Sequence, residues 1–460
     1  MNQSKQQKID WKLLFPLMLG IMLNPLNSTM LSTALITICN QFGRGIGSSS
    51  LLITPLYIAA SIGQPLMGKL ADIFNPKTVN KFGFLLVLIA TLIGAFAPSF
   101  AWLVVSRVFL GLGTSAAYPS ALAIVAHKYR QKAHAVPKNI LSVIAISSRV
   151  SMVIGPFLGG FLTEWMGWQG IFYVNIPIVI LALYFSKNIL SIKRKQNNTL
   201  SVFKRIDTIG ILSFALFLIS LLIALTLNGN KPVLEIVGIL SFAYFFYHER
   251  KHPAPFINIR LLGRQPAMLL VYARTISTSY ILYLLLYAFP QWIEGVRMLS
   301  PSVTGLIMLP MSFISGFSAI YMTKIRKLAR VAVIAMLCTI MVCVGMFLLN
   351  SHISIIYVIL ITTLIGLASG ANGMANQLFL NTETKTADTG VSFGLFRTFN
   401  YMGAIISGIQ MKTLFKNGLS DQSLHTAAIC ASVSCSVLIV LYLWSFFLKR
   451  KTNNQVIRTR

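Results

Sequence analysis

The chain has 460 residues, of which 55% are hydrophobic and 11% are charged, and its mean hydropathy is +0.73. This composition excludes an ordinary soluble domain, in which about a quarter of the residues are charged. The formal net charge of +29 would suit a nucleic-acid-binding protein. However, the lysines and arginines are dispersed among many connections and form no single patch, so we expect no nucleic-acid partner.

Apolar runs near twenty residues long recur from one end of the chain to the other. A hydrocarbon core about 30 Å thick is crossed by about 20 helical residues that rise about 1.5 Å each. The eighth run is short enough to be re-entrant or interfacial, so we expect roughly thirteen or fourteen spans. The pattern predicts an all-α polytopic membrane protein with spans at 13–35, 50–70, 80–98, 102–125, 140–162, 170–190, 208–227, 232–247, 267–290, 302–323, 331–350, 353–376, 390–411 and 426–448.

The basic residues lie almost entirely on alternate connections. With the N-terminus inside, 30 of the 39 lysines and arginines fall on inner connections or tails, five on outer connections and four inside spans. Cytoplasmic connections carry the excess of basic residues in membrane proteins. We therefore predict a membrane protein with both termini in the cytoplasm, whose basic connections contact anionic lipid headgroups.

The longest polar connection, 187–207, separates six predicted spans from eight and is the best candidate for a domain boundary. At its end, Asp207 is predicted to cap the next helix. Ser300 and Pro301 are predicted to begin a later helix, since proline is tolerated in a first turn.

Catalytic and metal-binding patterns are not visible in the sequence. The six histidines lie in connections without a paired carboxylate and nucleophile, and the five cysteines show no metal-ligand spacing to histidine. We therefore expect free thiols, no metal, no cofactor and no enzymatic activity.

The second span ends in GKLADIFNPK, which begins at Gly68. This segment resembles the signature of the major facilitator superfamily, a glycine, then Leu-Ala-Asp, then basic residues such as Lys77. Gly68 would permit close helix approach, and Asp72 would pair with a basic side chain or a helix N-terminus in one conformation only. Ile73 and Asn75 replace the family's basic residue and later glycine, which indicates a weaker gate lock. A solvated turn is the alternative interpretation.

The fourth span contains RVFLGLG, from Arg107 to Gly113, with Gly111 as its first glycine. It resembles the family's arginine and glycine motif in that helix. A charge buried in a span costs about 2.5–3.5 kcal/mol, so Arg107 should face a cavity or a partner. The alternative is an arginine that snorkels toward the outer face near Trp102.

The fifth span contains SMVIGPFLGG, which is similar to the antiporter motif of drug exporters. Proline frees a backbone carbonyl and small residues permit close packing. Gly155, Pro156, Gly159 and Gly160 are therefore predicted to form a bend that rocks during transport. A bend that serves only packing is the alternative.

Further matches along nearly the whole chain extend the resemblance to the fourteen-span branch of drug and proton antiporters. The resemblance implies a major facilitator fold with six-helix bundles at 1–190 and 266–460, and a linker with two additional transmembrane helices at 191–265. It also implies a monomeric secondary transporter of the bacterial inner membrane that exports small organic molecules by alternating access, as in multidrug efflux.

The departures from that branch concern charge. The branch's aspartate in the first helix corresponds to Asn27, which cannot titrate, and all ten acidic residues fall in tails, connections or terminal turns. Four arginines fall inside spans, namely Arg107, Arg149, Arg274 and Arg397. If they line the cavity, its field is positive and favours an anionic or acceptor-rich substrate. Snorkelling, or bonding to backbone carbonyls, is the alternative role for these arginines.

Polar and aromatic residues inside the spans are candidates for the transport pathway. The alternative function is a dedicated exporter of an anionic metabolite such as a siderophore. Export of an anion from a negative interior releases about 2.3 kcal/mol per charge per 100 mV, so the membrane potential could drive it. The candidate pathway residues are Asn372, Asn376 and Asn400, with Asn24, Tyr57, Gln64, Tyr118, Tyr283, Gln291 and Trp292.

Overall fold

The structure is a computed structural model that describes residues 10–130, 138–189, 207–226, 232–253, 255, 257, 259–260, 266–325, 327–384 and 389–458. The regular structure of these residues is helical, as predicted. The helices before the long connection are α1 (Trp11–Leu31), α2 (Leu35–Gln41), α3 (Ser50–Ile73), α4 (Pro76–Ala95), α5 (Phe100–Ser115), α6 (Ala117–Arg130), α7 (Lys138–Met166), α8 (Gly170–Tyr173) and α9 (Asn175–Phe185). The later helices are α10 (Thr208–Thr226), α11 (Pro232–Lys251), α12 (Pro266–Gly295), α13 (Pro301–Thr323), α14 (Leu328–Phe347), α15 (Ile355–Glu383), α16 (Thr389–Leu414) and α17 (Asp421–Arg458).

Helix starts follow local capping chemistry. The Asp207 carboxylate accepts a hydrogen bond from Gly210 N at 2.8 Å, and Ser300 Oγ accepts one from Val303 N at 3.4 Å. Both predicted starts are therefore confirmed, because each side chain satisfies a backbone N–H that has no partner within its helix.

Nine helices of the described ranges are long and apolar enough to cross a membrane, and three shorter apolar segments match further predicted spans. The helix that contains the eighth predicted span, α11, is longer than the apolar run 232–247. It has 20 residues because it continues through a polar end to Lys251. Exposed apolar side chains such as Val233 and Ile239 project from α11. A helix that is apolar on its exposed side fits a lipid environment.

The two halves pack their helices in the same pairs. In the N-terminal half, α1 packs on α7 and α3 on α5. The corresponding helices of the C-terminal half do the same, with α12 on α16 and α13 on α15. The halves meet along two lateral contacts, α7 with α13 and α3 with α16. This repeated pairing leaves a central space between the halves.

Helices α10 and α11 form an antiparallel hairpin outside the two halves. The rings of Phe214 and Phe245 lie 5.1 Å apart, and those of Phe217 and Phe242 lie 4.8 Å apart. Helix α10 packs against α3 of the first half and α16 of the second. The hairpin therefore contacts both halves at one of their lateral seams.

Candidate functional site: the central cavity

A cavity of about 250 Å³ lies between the two halves. The N-terminal half contributes α1, α6 and α7 to its wall, and the C-terminal half contributes α12, α13, α15 and α16. Its lining residues are Asn24, Pro25, Tyr118, Ser148, Met152, Val153, Leu282, Tyr283, Leu286, Met311, Ser312, Ser315, Gly316, Ser369, Gly373, Gln377, Phe396, Arg397, Asn400 and Tyr401.

Arg397 gives the cavity its charge. Its guanidinium lies 3.5 Å from the centroid of the Tyr118 ring, a cation–π contact between α16 and α6. It also interacts with the Tyr401 hydroxyl. The described lining contains no carboxylate. The field inside the cavity is therefore positive, and two polar side chains hold its charged group in place.

A tyrosine pair closes the wall beside the cavity. The hydroxyls of Tyr57 and Tyr287 lie 2.9 Å apart, and Tyr287 donates to Ser28 O at 3.2 Å. Both rings are buried, and the Tyr283 ring, which lines the cavity, lies 5.0 Å from the Tyr57 ring. Because these residues come from both halves, the pair joins them next to the cavity.

On the side of the membrane that the charge pattern predicts to be outer, helix ends from the two halves pack tightly against each other. We call this region the outer seam, formed by the end of α7 with the start of α13. A Cβ atom at Gly160 would collide with the backbone oxygen of Pro301, and one at Gly305 would lie 2.7 Å from Pro156 O. Glu164 also accepts a hydrogen bond from Ser302 N at 3.1 Å. Only glycine permits this backbone approach.

The other motif glycines serve contacts within the first half. A Cβ at Gly155 would collide with Thr29, one at Gly159 with Met30, and one at Gly111 with Leu56. Gly68 differs, since a Cβ there would meet only Pro119 Cβ, at 3.8 Å. The close approach predicted at Gly68 is therefore not found, because the neighbouring helix stands at ordinary contact distance.

The basic residues of the first motif hold backbone carbonyls. Lys69 donates to Pro255 O at 3.1 Å, and Lys77 donates to Lys187 O at 3.2 Å and also to Ile189 O. Asp72 is exposed at the end of α3. The motif thus connects the second span to the segment that follows α11 and to the end of the sixth span.

Two of the predicted arginines lie in packed protein away from the cavity lining. Arg107 is 1% exposed and its Nε donates to Leu52 O at 3.0 Å, so the snorkelling alternative is wrong for this arginine. Arg274 is 0% exposed and lies between two rings, 4.0 Å from the Phe379 centroid and 4.7 Å from the Tyr442 centroid. The Arg149 side chain lies outside the described residues.

Asn27 forms a buried amide pair with Asn175. Asn27 Nδ2 donates to Asn175 Oδ1 at 2.7 Å, and Asn175 Nδ2 donates back to Asn27 Oδ1 at 2.8 Å. The pair joins α1 to the start of α9, and neither residue is part of the cavity lining. Asn27 thus completes a hydrogen-bonded contact between helices.

The predicted asparagines of the second half divide between two places. Asn400 lines the central cavity and also a second cavity of about 60 Å³, which Asn372 lines as well. Asn372 donates to Thr339 Oγ1 at 2.7 Å, and the buried Asn376 donates to Thr278 Oγ1 at 3.0 Å. Of these three, only Asn400 reaches the central cavity.

The sequence analysis missed several small polar residues of the cavity. Ser312 and Ser315 on α13, and Ser369 and Gln377 on α15, all line it. The first two are three residues apart and the last two are eight apart, so each pair lies on one face of its own helix, and this spacing was visible in the sequence.

The fold places two titratable residues in surroundings that the sequence did not indicate. Glu294, in the last turn of α12, is 9% exposed, and its Oε1 has no hydrogen-bond partner among the described residues. A terminal turn can therefore hold a buried acid. His248 Nε2 lies 2.7 Å from Asp207 Oδ1, so one histidine does have a carboxylate partner, which the fold brings from 41 residues away.

Comparison with known proteins identifies the family. The model of the Major Facilitator Superfamily matches residues 17–408. The chain belongs to the major facilitator superfamily. The family and its solved structures are transporters, so the all-α polytopic major facilitator fold and the absence of an enzymatic role are both supported.

Individual relatives and one solved structure that resemble this superfamily member are also named as transporters or efflux pumps. The chain is 32% identical over 406 residues to the uncharacterised MFS-type transporter YwoD of Bacillus subtilis, covering 86% of this chain and 88% of the relative. It is 26% identical over 447 residues to the multidrug efflux pump SdrM of Staphylococcus aureus, covering 95% and 97%. The structure matches an inward-facing, unoccupied bacterial homolog of the human lysosomal transporter Spinster with a TM-score of 0.67 at 16% identity, covering 95% and 97%.

Proposed function

We propose that this superfamily member exports small organic molecules from the bacterial cytoplasm by alternating access, with the central cavity as its substrate site. The observation that carries the proposal is a cavity between two similarly packed halves, with Arg397 and no carboxylate in its described lining. Similarity to a named multidrug efflux pump over nearly the whole chain supports export. The α10–α11 hairpin supports the fourteen-span branch, with bundles at 1–190 and 266–460 and the inserted pair at 191–265.

Arg397 favours anionic or acceptor-rich substrates. A guanidinium forms charge-assisted hydrogen bonds with carboxylates, and the fixed positive charge raises the cost of bringing an organic cation into the cavity. The hydroxyl and amide groups of Ser312, Ser369 and Asn400 would bind the polar groups of such a substrate.

The proposed movement rocks the halves about the lateral seams. The outer seam at Gly160 and Gly305 closes one end of the pathway, and Pro156 lies within it. Opening would separate the outer end of α7 from the start of α13 and part Tyr57 from Tyr287. Both termini, in this proposal, lie in the cytoplasm, and one chain forms the complete pathway.

The second candidate is a dedicated exporter of one anionic metabolite. Arg397 favours it, since the outward movement of an anion is driven by an interior-negative potential, by about 2.3 kcal/mol per charge per 100 mV. This candidate differs from multidrug export in substrate range and needs no proton exchange.

Proton exchange, if it drives export, requires a group that titrates. We assign this role to Glu294, because it is a buried acid at the outer end of α12 whose Oε1 has no hydrogen-bond partner among the described residues. Glu235, which is exposed on α11, offers a matched control. In proteoliposomes, Glu294→Gln should abolish flux driven by a pH gradient, whereas Glu235→Gln should preserve it. Unchanged flux in Glu294→Gln would leave the membrane potential as the driving force.

Flux measurements test the function itself. Carboxyfluorescein as an organic anion and ethidium as an organic cation are loaded into proteoliposomes that contain the full chain, and their flux is followed under an imposed potential. We expect faster flux of the anion, and protein-dependent flux that Arg397→Gln reduces. Equal or greater flux of ethidium would contradict the anion preference. Absence of flux of either probe and of a wider set of metabolites would contradict export.

A further inference from the structure

A cluster of metal-ligating side chains lies at the base of the α10–α11 hairpin. Asp207 precedes α10, His248 lies in the last turn of α11, and His252 follows that helix. One ligand atom from each residue lies within 4.8 Å of the others. The cluster lies on the side of the membrane that the charge pattern predicts to be cytoplasmic. None of its three residues lines the central cavity.

The distances suit a tetrahedral site. Asp207 Oδ1 lies 2.7 Å from His248 Nε2, and Asp207 Oδ2 lies 3.7 Å from His252 Nδ1. Zinc binds imidazole nitrogen and carboxylate oxygen at about 2.0–2.2 Å, which places neighbouring ligand atoms of a tetrahedral site about 3.3–3.6 Å apart. The two observed separations bracket those values, and the histidine nitrogens lie within 4.8 Å of each other.

The two histidines are presented together by the helix. They are four residues apart, a spacing that puts both imidazoles on one face, as in helical zinc motifs. Their rings stack with centroids 5.1 Å apart. The backbone N–H of His252 donates to His248 O at 2.9 Å, so the helical hydrogen bonding continues to the second ligand.

Asp207 is already oriented as a ligand. Its side chain is 1% exposed, and its Oδ1 accepts a hydrogen bond from Gly210 N. Such outer contacts fix a metal-ligating carboxylate and are typical of metal sites. His248 and His252 are 16% and 23% exposed, which leaves a path for an ion to enter.

The surrounding charge favours a cation. Glu249 is 0% exposed, and a Cβ atom at Gly210 would contact both Glu249 Oε1 and Asp207 Oδ2, so two buried carboxylates flank the same glycine. Glu249 Oε2 accepts a hydrogen bond from Ile257 N at 2.7 Å. Lys69 interacts electrostatically with both carboxylates. Two buried carboxylates beside the imidazoles favour the binding of a divalent cation by electrostatic attraction.

We propose that Asp207, His248 and His252 bind a divalent transition metal ion of the zinc type. The donor set of two imidazoles and one carboxylate suits zinc, cobalt, nickel or ferrous iron and not magnesium or calcium, which prefer oxygen ligands. A bound ion would join the start of α10 to the end of α11. It would thereby hold the hairpin base beside Lys69, which belongs to the motif at the end of α3.

Direct metal binding tests the proposal, independently of transport. The full chain is purified in detergent through a tag without histidine and titrated with Co²⁺, followed by visible absorption, and then with Zn²⁺ in competition. We expect one ion per chain, displacement by Zn²⁺, and a rise in the thermal unfolding temperature when Zn²⁺ is present. His252→Gln should lower the affinity at least about tenfold, because one of three ligands is lost.

The controls distinguish a specific metal site from nonspecific binding of the metal by exposed histidines. His352→Gln, in the exposed connection between α14 and α15, should bind Co²⁺ as the unchanged protein does. His252→Gln carries the test even if His248→Gln does not fold, since it leaves the Asp207–His248 contact intact. Absence of saturable Co²⁺ binding, or equal affinity in His252→Gln and the unchanged protein, would overturn the proposal.

Discussion

The hydroxyl oxygens of Tyr57 and Tyr287 lie 2.9 Å apart and join α3 of the first half to α12 of the second. Since Tyr287 gives its proton to Ser28 O, Tyr57 must be the donor within the pair. This polarity makes the two tyrosines unequal. Loss of the Tyr57 hydroxyl removes one hydrogen bond, the one that it donates to Tyr287. Loss of the Tyr287 hydroxyl removes two, because it donates to Ser28 O and accepts from Tyr57.

The first prediction concerns this asymmetry. Tyr287→Phe should destabilise the closed arrangement by about 1–3 kcal/mol, because it leaves buried polar groups unsatisfied. Tyr57→Phe should cost less, since Tyr287 keeps its bond to Ser28. Thermal unfolding of the two variants in detergent measures the difference, and a larger loss in Tyr57→Phe would contradict the assigned direction of the bonds.

The second prediction concerns anion binding at Arg397. Arg397→Gln should remove about 1.5–3 kcal/mol of charge-assisted bonding, which raises the KM for an anionic substrate by about tenfold or more. Tyr118→Phe keeps an aromatic face 3.5 Å from the guanidinium and should preserve transport, whereas Tyr118→Leu should not. Anion flux at several substrate concentrations gives the comparison. An unchanged KM in Arg397→Gln would place substrate binding elsewhere.

The third prediction concerns the outer seam. Gly160→Ala would drive a methyl group against the backbone of Pro301, and overpacking should weaken the closed seam by about 1–3 kcal/mol. Transport should fall, and a cysteine placed beside the seam should become more accessible to a membrane-impermeant thiol reagent. Gly394→Ala is the matched control, because a Cβ there meets no described heavy atom within 4 Å. Equal effects of the two changes would argue against a role for the seam.

The fourth prediction separates structural from transport roles among the buried arginines. Arg274 lies between Phe379 and Tyr442, and its guanidinium nitrogens have no hydrogen-bond partner among the described residues. Burial of a charged group costs several kcal/mol of desolvation, which an apolar side chain of similar volume avoids, so Arg274→Met should stay folded and active. Unfolding temperature and flux report this together. A folded but inactive Arg274→Met would assign Arg274 to the transport mechanism.

The fifth prediction concerns Asn27. An ionised aspartate at this position can still accept from Asn175 Nδ2 but loses its own donation to Asn175 Oδ1 and to Leu23 O. Asn27→Asp should therefore lower stability by about 1–3 kcal/mol, and because a titratable group then stands in α1, flux should gain a dependence on the pH gradient. Asn175→Asp is the matched change on the partner. A pH response equal to that of the unchanged protein would show that an acid at this position does not suffice for proton coupling.

The sequence by itself determined the architecture of the membrane-spanning protein. Apolar runs of bilayer length permit only helices, since backbone groups in lipid must bond within their own segment. The distribution of lysine and arginine predicted the orientation. The small residues of the fifth span indicated close helix packing, which is found at Gly155, Gly159 and Gly160. The rocking bend stays a prediction. These features are local in the chain, so spacing and composition suffice to recognise them.

Only the tertiary structure decided which polar side chains meet. Four arginines inside spans look equivalent in sequence, yet Arg397 lines the cavity while Arg107 and Arg274 are packed between helices. Asn27 meets Asn175 across 148 positions, and Asp207 meets His248 across 41. A helix pattern specifies which face a residue occupies, but the partner on that face depends on how distant helices pack.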